Sequence, residues 1–390
     1  MKIFVLLSGA IFLGLVQCAK LDGSEPVACT TPDGKPGYCI NIRSCRQISN
    51  LLRPPTSEKT KEFVRNSACK GPHKYSVCCR STPASEDDDI FDSRTREGNL
   101  YCEPYMTAHP PDPSTGCCGT SATLGNKIVG SDGKGTGIDQ YPWTVLIEYE
   151  SKKGIDICGG VLISGRYVVT AAHCVTSAIP KYIRLGEYNI TNQGPDCKLA
   201  EGGGQDCTDG VTRVPIEKII PHPNYSFSAN DKRNDIALIK LKELAPYSDF
   251  IRPICLPTKD INLSSNRNDY FTMIVVGWGA TETKKYSDVK LEVKVPYVPL
   301  EQCRAYYDKF KLFQLGKGQL CAGGQNGLNN CKGDSGGPLM FKNGNLFELA
   351  GIVSFGKTDC KQGVPGVYTD IYAYKDWIMS ILQTPEPQTT

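Results

Sequence analysis

Nineteen cysteines in 390 residues limit what this chain can become more than any other feature. A high cysteine count in a chain with a secretory leader implies an oxidising compartment and a fold stapled by disulfides. Six of them, Cys29, Cys39, Cys45, Cys69, Cys78 and Cys79, crowd into one short N-terminal stretch. So small a unit cannot bury much apolar surface, and three bridges would compensate. Zinc ligation is the other reading of a cysteine-rich chain, but the paired C-x-x-C spacings it needs are absent.

The leader itself is residues 1–18. Lys2 is followed by a largely apolar run from Ile3 to Val16, and Val16-Gln17-Cys18 can serve as a cleavage tripeptide. A membrane anchor is the alternative, but the run is short for a bilayer span. Leu15-Val16-Gln17-Cys18 has the outline of a lipoprotein box, which Gln17 fits poorly. Cleavage after Cys18 leaves 18 cysteines, an even number. No later segment is long and apolar enough to cross a membrane, so the mature protein is expected to be soluble and extracellular. Asn189, Asn224 and Asn262 open N-x-S/T sequons, surface glycosylation candidates in a secreted chain. A formal net charge of +3 gives no case for a nucleic-acid-binding surface.

The remaining chain divides by texture. Thr56 to Ala68 is polar enough for a surface helix or loop. Ser81 to Asn99 is rich in Ser, Thr and acid, including Glu86-Asp87-Asp88-Asp89, a composition that does not fold alone. Pro104 to Pro113 is proline-rich, and Cys102, Cys117 and Cys118 must tie this region to something. From Ile128 onward, short β-branched and aromatic runs alternate with Gly/Pro turns. Trp143 to Tyr149, Val161 to Ile163, Tyr167 to Thr170, Ile236 to Leu241, Met273 to Trp278 and Leu349 to Ser354 are such runs, the signature of an all-β sandwich or barrel. Tyr374, Trp377, Ile378 and Ile381 recur at helical spacing, which predicts a closing helix over Tyr372 to Leu382. Residues 384–390 are expected to be disordered, and no internal repeat is present.

Three motifs lie in the β-rich part: Thr170-Ala171-Ala172-His173-Cys174, Asn234-Asp235-Ile236-Ala237-Leu238 and Gly333-Asp334-Ser335-Gly336-Gly337-Pro338. Together they supply a base, a carboxylate and a nucleophile. A serine hydroxyl is a weak nucleophile and needs a base within hydrogen-bond reach. An imidazole suits that role because it titrates near neutral pH and can return the proton to a leaving amine. A carboxylate behind the imidazole fixes its tautomer and stabilises the imidazolium. The chain order His, Asp, Ser is that of chymotrypsin-type proteases, not of subtilisins or α/β-hydrolases.

These motifs, with Lys127-Ile128-Val129-Gly130 and Gly366-Val367-Tyr368-Thr369, resemble the trypsin/chymotrypsin family. The six-cysteine cluster, with gaps of 9, 5, 23, 8 and 0 residues, resembles a clip domain. In this order the parts resemble the arthropod clip-domain serine proteases. The resemblance implies an all-β double six-stranded barrel, with the site in the cleft between barrels, behind a small disulfide-rich domain. The units are then 1–18 signal peptide, 19–80 clip domain (core 29–79), 81–127 linker and light-chain tail, 128–383 protease domain and 384–390 tail. It implies the pairs Cys29–Cys78, Cys39–Cys69 and Cys45–Cys79 in the clip domain. In the protease it implies Cys158–Cys174, Cys303–Cys321 and Cys331–Cys360, a bridge from Cys118 to Cys255, and a loop closed by Cys197–Cys207. Cys102 and Cys117 remain and are paired as the last two.

By the same resemblance His173, Asp235 and Ser335 are catalytic, and the N–H groups of Gly333 and Ser335 form the oxyanion hole. Ser354 would support Asp235. Cleavage between Lys127 and Ile128 would free an α-amino group that enters the barrel and pairs with Asp334, ordering the oxyanion loop. A lysine before that bond implies a trypsin-like upstream protease. The implied setting is a hemolymph cascade of melanisation or Toll signalling. Its protein substrates would be cascade zymogens, prophenoloxidase or a cytokine precursor, and serpins would be the inhibitors. No nucleic-acid or membrane partner is implied, and no cofactor is required for the chemistry.

One departure from the family concerns specificity. Trypsin-like members place an Asp where this chain has Asn329, before Asn330 and Cys331. Gly356 and Gly366 match the small residues that leave the pocket walls open. The expected pocket is deep but uncharged, and an Arg or Lys side chain would be buried there without its counter-ion. A large neutral side chain fits better, unless Asp359 or another acid compensates. A second open point is the segment Glu187 to Asp196, which resembles the family's calcium loop. Glu187, Asn189, Asn192 and Asp196 offer oxygen ligands for Ca2+, against the alternative of a solvated acidic loop. One extra residue precedes Asp196, and Asn189 is also a sequon, so glycan and metal cannot both claim it.

Three functions compete. The first is an active secreted endopeptidase stored as a zymogen. The second is a non-catalytic or weakly catalytic cofactor whose clip domain recruits other proteases. The third, a digestive enzyme, has little use for a docking module. The intact triad and Lys127-Ile128 favour the first.

Overall fold

The computed structural model describes residues 27–42, 45, 48, 51, 58–70, 76–80, 102–121, 135–149, 157–199, 205–226, 232–262, 271–281, 283–309, 314–325, 329, 331–356 and 363–383. The expected leader, Lys127, Ile128, Asp359, Cys360 and the expected C-terminal tail lie outside them.

The N-terminal unit is a three-stranded antiparallel sheet of β1 (Val27–Thr30), β2 (Pro36–Asn41) and β3 (Ser76–Arg80), with helix α1 (Glu58–Asn66) between β2 and β3. Its apolar centre is small: Cys45, Ile48, Leu51, Val64 and Val77. Three disulfides close it, Cys29–Cys78, Cys39–Cys69 and Cys45–Cys79. Such bridges stabilise chiefly by restricting the unfolded chain, which suits a unit with so little core. The polar stretch from Thr56 contains α1, with only Val64 buried along it.

Two closed six-stranded barrels follow. The first is β4 (Thr144–Tyr149), β5 (Cys158–Leu162), β6 (Tyr167–Thr170), β7 (Pro180–Leu185), β10 (Thr212–Pro221) and β11 (Ala237–Leu241). Helix α2 (Ala172–Thr176) follows β6, and the hairpin β8 (Cys197–Leu199) with β9 (Gln205–Cys207) is inserted after β7. The second barrel is β12 (Thr272–Gly277), β13 (Leu291–Val298), β14 (Gln319–Ala322), β15 (Pro338–Asn343), β16 (Leu346–Phe355) and β17 (Gly366–Asp370). Helix α3 (Leu300–Lys309) lies between β13 and β14, and α4 (Lys375–Leu382) closes the chain.

The predicted runs become strands because their β-branched residues fill the barrel interiors. All of β6 and β11 is buried, and Val145, Ile147, Val161, Ile183 and Ile239 are fully enclosed. Lys240, the one charged residue of β11, is held by Glu217 at 2.8 Å. The predicted closing helix begins three residues later than the pattern implied. Tyr372 to Tyr374 form a turn instead, and α4 seats Ile378 and Leu382 in the core.

The barrels meet through an aromatic junction. Trp143 donates its indole N–H to Met340 Sδ at 3.3 Å and packs with Tyr141 and Phe347. Part of the expected linker is folded here too. Residues 102–121 are closed by Cys102–Cys117 and joined to the protease by Cys118–Cys255. The Gly119 N–H donates to Pro253 O at 2.8 Å, Phe347 N–H donates to Gly119 O at 2.8 Å, and Tyr141 N–H donates to Ser121 Oγ at 3.0 Å. Among the described residues, no helix is long and apolar enough to cross a membrane.

Candidate active site

Each reactive side chain is set by a different element, and the barrel junction brings them together. His173 is the second residue of α2, which starts shortly after β6. Asp235 precedes β11, and β6 and β11 are hydrogen-bonded neighbours, so their ends coincide. Asp235 Oδ1 accepts the His173 backbone N–H at 2.9 Å, and Oδ2 lies 2.8 Å from His173 Nδ1. The aspartate thus grips its partner at two points. It is 3% exposed. A buried carboxylate needs its lone pairs filled. Ser354 in β16 donates to Oδ2 at 2.5 Å, as the sequence led one to expect, and Thr369 in β17 donates to the Asp235 carbonyl at 2.7 Å. The first barrel therefore carries the His–Asp pair, and the second barrel satisfies it.

Ser335 sits on a turn with glycines on both sides. Gly333 has φ 102° and Gly336 φ 75°, conformations a side chain rarely allows. Space enforces the second: a Cβ on Gly336 would lie 2.2 Å from Thr170 Oγ1. The Ser335 carbonyl accepts from Gly159 N–H at 2.8 Å, and Val353 O accepts from Gly336 N–H at 2.8 Å, so both barrels hold the turn. The N–H groups of Gly333 and Ser335 donate to no described residue, which leaves two neighbouring donors free. Among the described residues Ser335 makes no hydrogen bond to His173, whose Nε2 has Cys174 Sγ at 3.7 Å. Catalytic hydrogen bonds of this kind are often loose until substrate is bound. Cys158, His173 and Cys174 converge like metal ligands, but the two sulfurs form a disulfide and offer no thiolate.

Asp334 is placed very differently from Asp235. Its carboxylate occupies a slot lined by glycine: a Cβ on Gly277 or Gly279 would approach its oxygens to 2.3 or 2.4 Å. Oδ1 accepts from Gly279 N–H and Oδ2 from Cys331 N–H, each at 2.8 Å. Among the described residues no cation pairs with it. Burial, opposed by those two hydrogen bonds, pushes its carboxyl up to about 6.

The expected pocket is partly visible. Asn329 is half-buried, and its Nδ2 donates to Val364 O at 2.8 Å. A Cβ on Gly356 would meet only Gly366 Cα, at an ordinary contact distance of 3.8 Å, so the two glycines lie next to each other with no side chain between them. Cys331 is in a disulfide, and its expected partner Cys360 lies outside the described residues. The remaining bridges are Cys158–Cys174, Cys197–Cys207 and Cys303–Cys321.

The segment Glu187 to Asp196 does converge. Asp196 accepts from Asn189 N–H at 2.9 Å and from Asn192 Nδ2 at 2.6 Å. Glu187 is 1% exposed, and neither of its oxygens has a hydrogen bond, although Arg184 Nη2 lies 2.6 Å away. Burial and the nearby Asp196 carboxylate push Glu187 up to about 7, against the pull of Arg184. The buried Glu187 carboxylate, whose oxygens accept no hydrogen bond, beside the buried Asp196 carboxylate offers oxygen ligands of the kind a hard divalent cation takes. Asn189 does not join them through its side chain: its Oδ1 accepts from Thr191 N and Oγ1 at 3.1 and 2.7 Å. The sequons also differ. Asn224 is exposed. Asn262 turns inward, donating from Nδ2 to Asp370 at 2.8 Å and accepting from Tyr297 at 2.9 Å.

Two joined barrels with a His–Asp pair and a glycine-flanked serine at their seam define a chymotrypsin-type architecture. Comparison with known proteins agrees: the trypsin family model matches residues 131–378, and the model of the regulatory CLIP domain of proteinases matches residues 29–79. The chain belongs to the trypsin family, among the insect clip-domain serine proteases. It is 43% identical to the phenoloxidase-activating enzyme of Bombyx mori, over 95% of this chain and 87% of that protein. It is 39% identical to Serine protease ea of Drosophila melanogaster, over 91% of each. The Drosophila Spaetzle-processing enzyme is 36% identical over 89% of each. A crystal structure of the Drosophila Grass clip serine protease of the Toll pathway superposes with a TM-score of 0.57 at 29% identity, covering 92% of this chain and 98% of that one.

Several contributors escaped the sequence reading. Thr369 lay inside a recognised motif without a role assigned to it. Gly277, Gly279 and Arg184 gave no signal, because each acts through a neighbour far away in the chain.

Proposed function

We propose that this chain is the secreted zymogen of a serine endopeptidase, switched on by cleavage after Lys127 and acting in an extracellular hemolymph cascade. The observation that carries this reading is the two-point grip of Asp235 on His173 beside a serine flanked by two unused N–H donors. With Nδ1 turned to Asp235, Nε2 is the nitrogen that takes the Ser335 proton as Oγ attacks the scissile carbonyl. The oxyanion would be received by the Gly333 and Ser335 N–H groups, one such donor being worth ~3 kcal/mol. His173 then returns the proton to the leaving amine, and water repeats the sequence on the acyl-enzyme.

Activation follows from Asp334. A buried carboxylate without a cation is costly, and the Ile128 ammonium freed by cleavage would supply one. The pairing would fix the loop that carries Gly333. Asn329 favours a large neutral residue before the cut bond. The relatives' names point to prophenoloxidase or a cytokine precursor as the class of substrate, with a trypsin-like protease upstream and serpins as inhibitors. Ca2+ would be held by the carboxylates of Glu187 and Asp196, giving structural support and no part in hydrolysis. Asn189 and Asn224 are the sequons whose placement suits a glycan.

The test uses the full chain. Wild type, Lys127→Gln and Ser335→Ala are treated with a lysine-specific protease and assayed on a peptide library. Activity is expected only in cut wild type. Substantial turnover by Lys127→Gln overturns the zymogen reading, and turnover by Ser335→Ala overturns the triad. A silent wild type after complete cleavage would favour the non-catalytic cofactor.

A further inference from the structure

We propose that Tyr374 is a positioning residue for Asp235, acting through Asn234; the proposal rests on Asp235 being the carboxylate of the triad. Asn234 directly precedes Asp235 and has φ 59°, in the left-handed region that Asn tolerates better than most residues. A residue there keeps its conformation only where its surroundings enforce it. One hydroxyl does so from the far end of the chain. Tyr374 OH donates to Asn234 Oδ1 at 2.9 Å and accepts the Asn234 backbone N–H at 3.1 Å. Asn234 Nδ2 donates to Asn224 O at 3.1 Å, and Ile236 N–H donates to Asn234 O at 2.8 Å, completing the clamp.

The tyrosine is itself immobilised. It is 9% exposed, its ring edge meets His222 at 5.4 Å, and a Cβ on Gly318 would approach its hydroxyl to 2.9 Å. Its carbonyl receives the N–H of Ile378 in α4 at 2.9 Å. Asp235 must meet two separate groups of His173, so a small backbone rotation at Asn234 would break at least one contact. Thr369 fixes the Asp235 carbonyl, and Tyr374 fixes the residue before it. The last turn before α4 is therefore part of the catalytic corner, although it touches neither the histidine nor the serine.

Cleaved wild type and Tyr374→Phe are compared by steady-state kinetics on one peptide reporter. They are also compared by the low-field proton NMR signal of the His173 Nδ1–H···Asp235 hydrogen bond. We expect kcat to fall about tenfold, with KM held within about twofold, because the loss is one of alignment rather than binding. The low-field signal should broaden. Reading it also in a Ser335→Ala background keeps the result independent of turnover, so failure of the triad reading and failure of this proposal remain distinct. A Tyr374→Phe enzyme with unchanged kcat and an unchanged signal overturns the proposal. If that variant does not fold, Asn234→Gly and Asn234→Ala decide. Both keep the N–H for Tyr374, but glycine accepts the left-handed backbone at no steric cost, so it should retain more kcat than alanine, and equal kcat in the two overturns the proposal.

Discussion

Asp235 and Asp334 are both aspartates at the seam of the barrels, yet their surroundings are opposite. Asp235 has His173 at both oxygens, Ser354 at one, and Thr369 on its carbonyl. Asp334 has two backbone N–H groups and no described cation. The first is finished by the fold. The second is unfinished, with its carboxyl held near 6 by burial. In a low-dielectric site, a carboxylate that is satisfied rigidifies its neighbours, and one that is not waits for a charge. On the proposed reading, Asp235 serves the chemistry and Asp334 its control.

The largest expected effect is at the finished corner. Asp235→Asn in the cut enzyme should lower kcat by about 10⁴, since the amide would present the wrong partner to the imidazole. Steady-state assay of cleaved protein checks this, and a loss below about tenfold would make the two corners equivalent. Asp334→Asn should still be cut after Lys127, yet gain little activity, a deficit on the order of 10³ if oxyanion donors are misplaced. Electrophoresis reads the cut and turnover reads the deficit; a fully active Asp334→Asn would break the comparison outright.

A third position sharpens it by lacking a charge altogether. With Asn329 at the pocket, cut enzyme should process Arg reporters at least ~100-fold more slowly than a relative with an aspartate at that position, from ~3 kcal/mol lost at an unpaired cation. Asn329→Asp should recover part of that. Preference of the wild type for Arg or Lys over Phe, Tyr and Leu would mean another acid, with Asp359 first to be mutated, supplies the charge.

The smallest effect is in stability. A buried carboxyl raised to about 6 binds its proton more tightly in the folded state than unfolded. It therefore favours the folded state at low pH, and that contribution is lost as pH rises through about 6. Pairing with an ammonium would remove the penalty. The Tm of cut protein should pull ahead of uncut by a few degrees between pH 4.5 and 7. Asp370, also near 6, is common to both forms and cancels in the difference. A gap that is flat with pH would show that Asp334 gains no cation on cleavage.

How much of this the sequence disclosed depended on distance along the chain. The barrels were legible because β-branched runs such as Tyr167–Thr170 announce their own burial, and the resemblance supplied their closure. A triad could be proposed from the sequence because each candidate member sits in a compact motif. Tyr374 read only as an apolar residue of a closing helix, because its hydroxyl meets Asn234 across 140 positions. The glycines of the Asp334 slot were silent for the same reason: nothing local to Gly277 or Gly279 reveals a carboxylate coming from another loop. Asn262 misled in the other direction, since a sequon records three residues and not the direction of the amide.

The bridge from Cys118 to Cys255 has a spatial consequence. The proposed cut after Lys127 would divide the chain but leave both pieces one covalent object. At about 3.6 Å per residue, the chain between Cys79 and Cys102 can span roughly 80 Å and no more. A surface that held the N-terminal domain would therefore set the centre of a small sphere, and the proposed activity would stay inside it. Substrates tethered to the same surface meet the enzyme at a high effective concentration, and those in bulk fluid meet it only by diffusion. On the proposed reading, the disulfide would make the switch a local one.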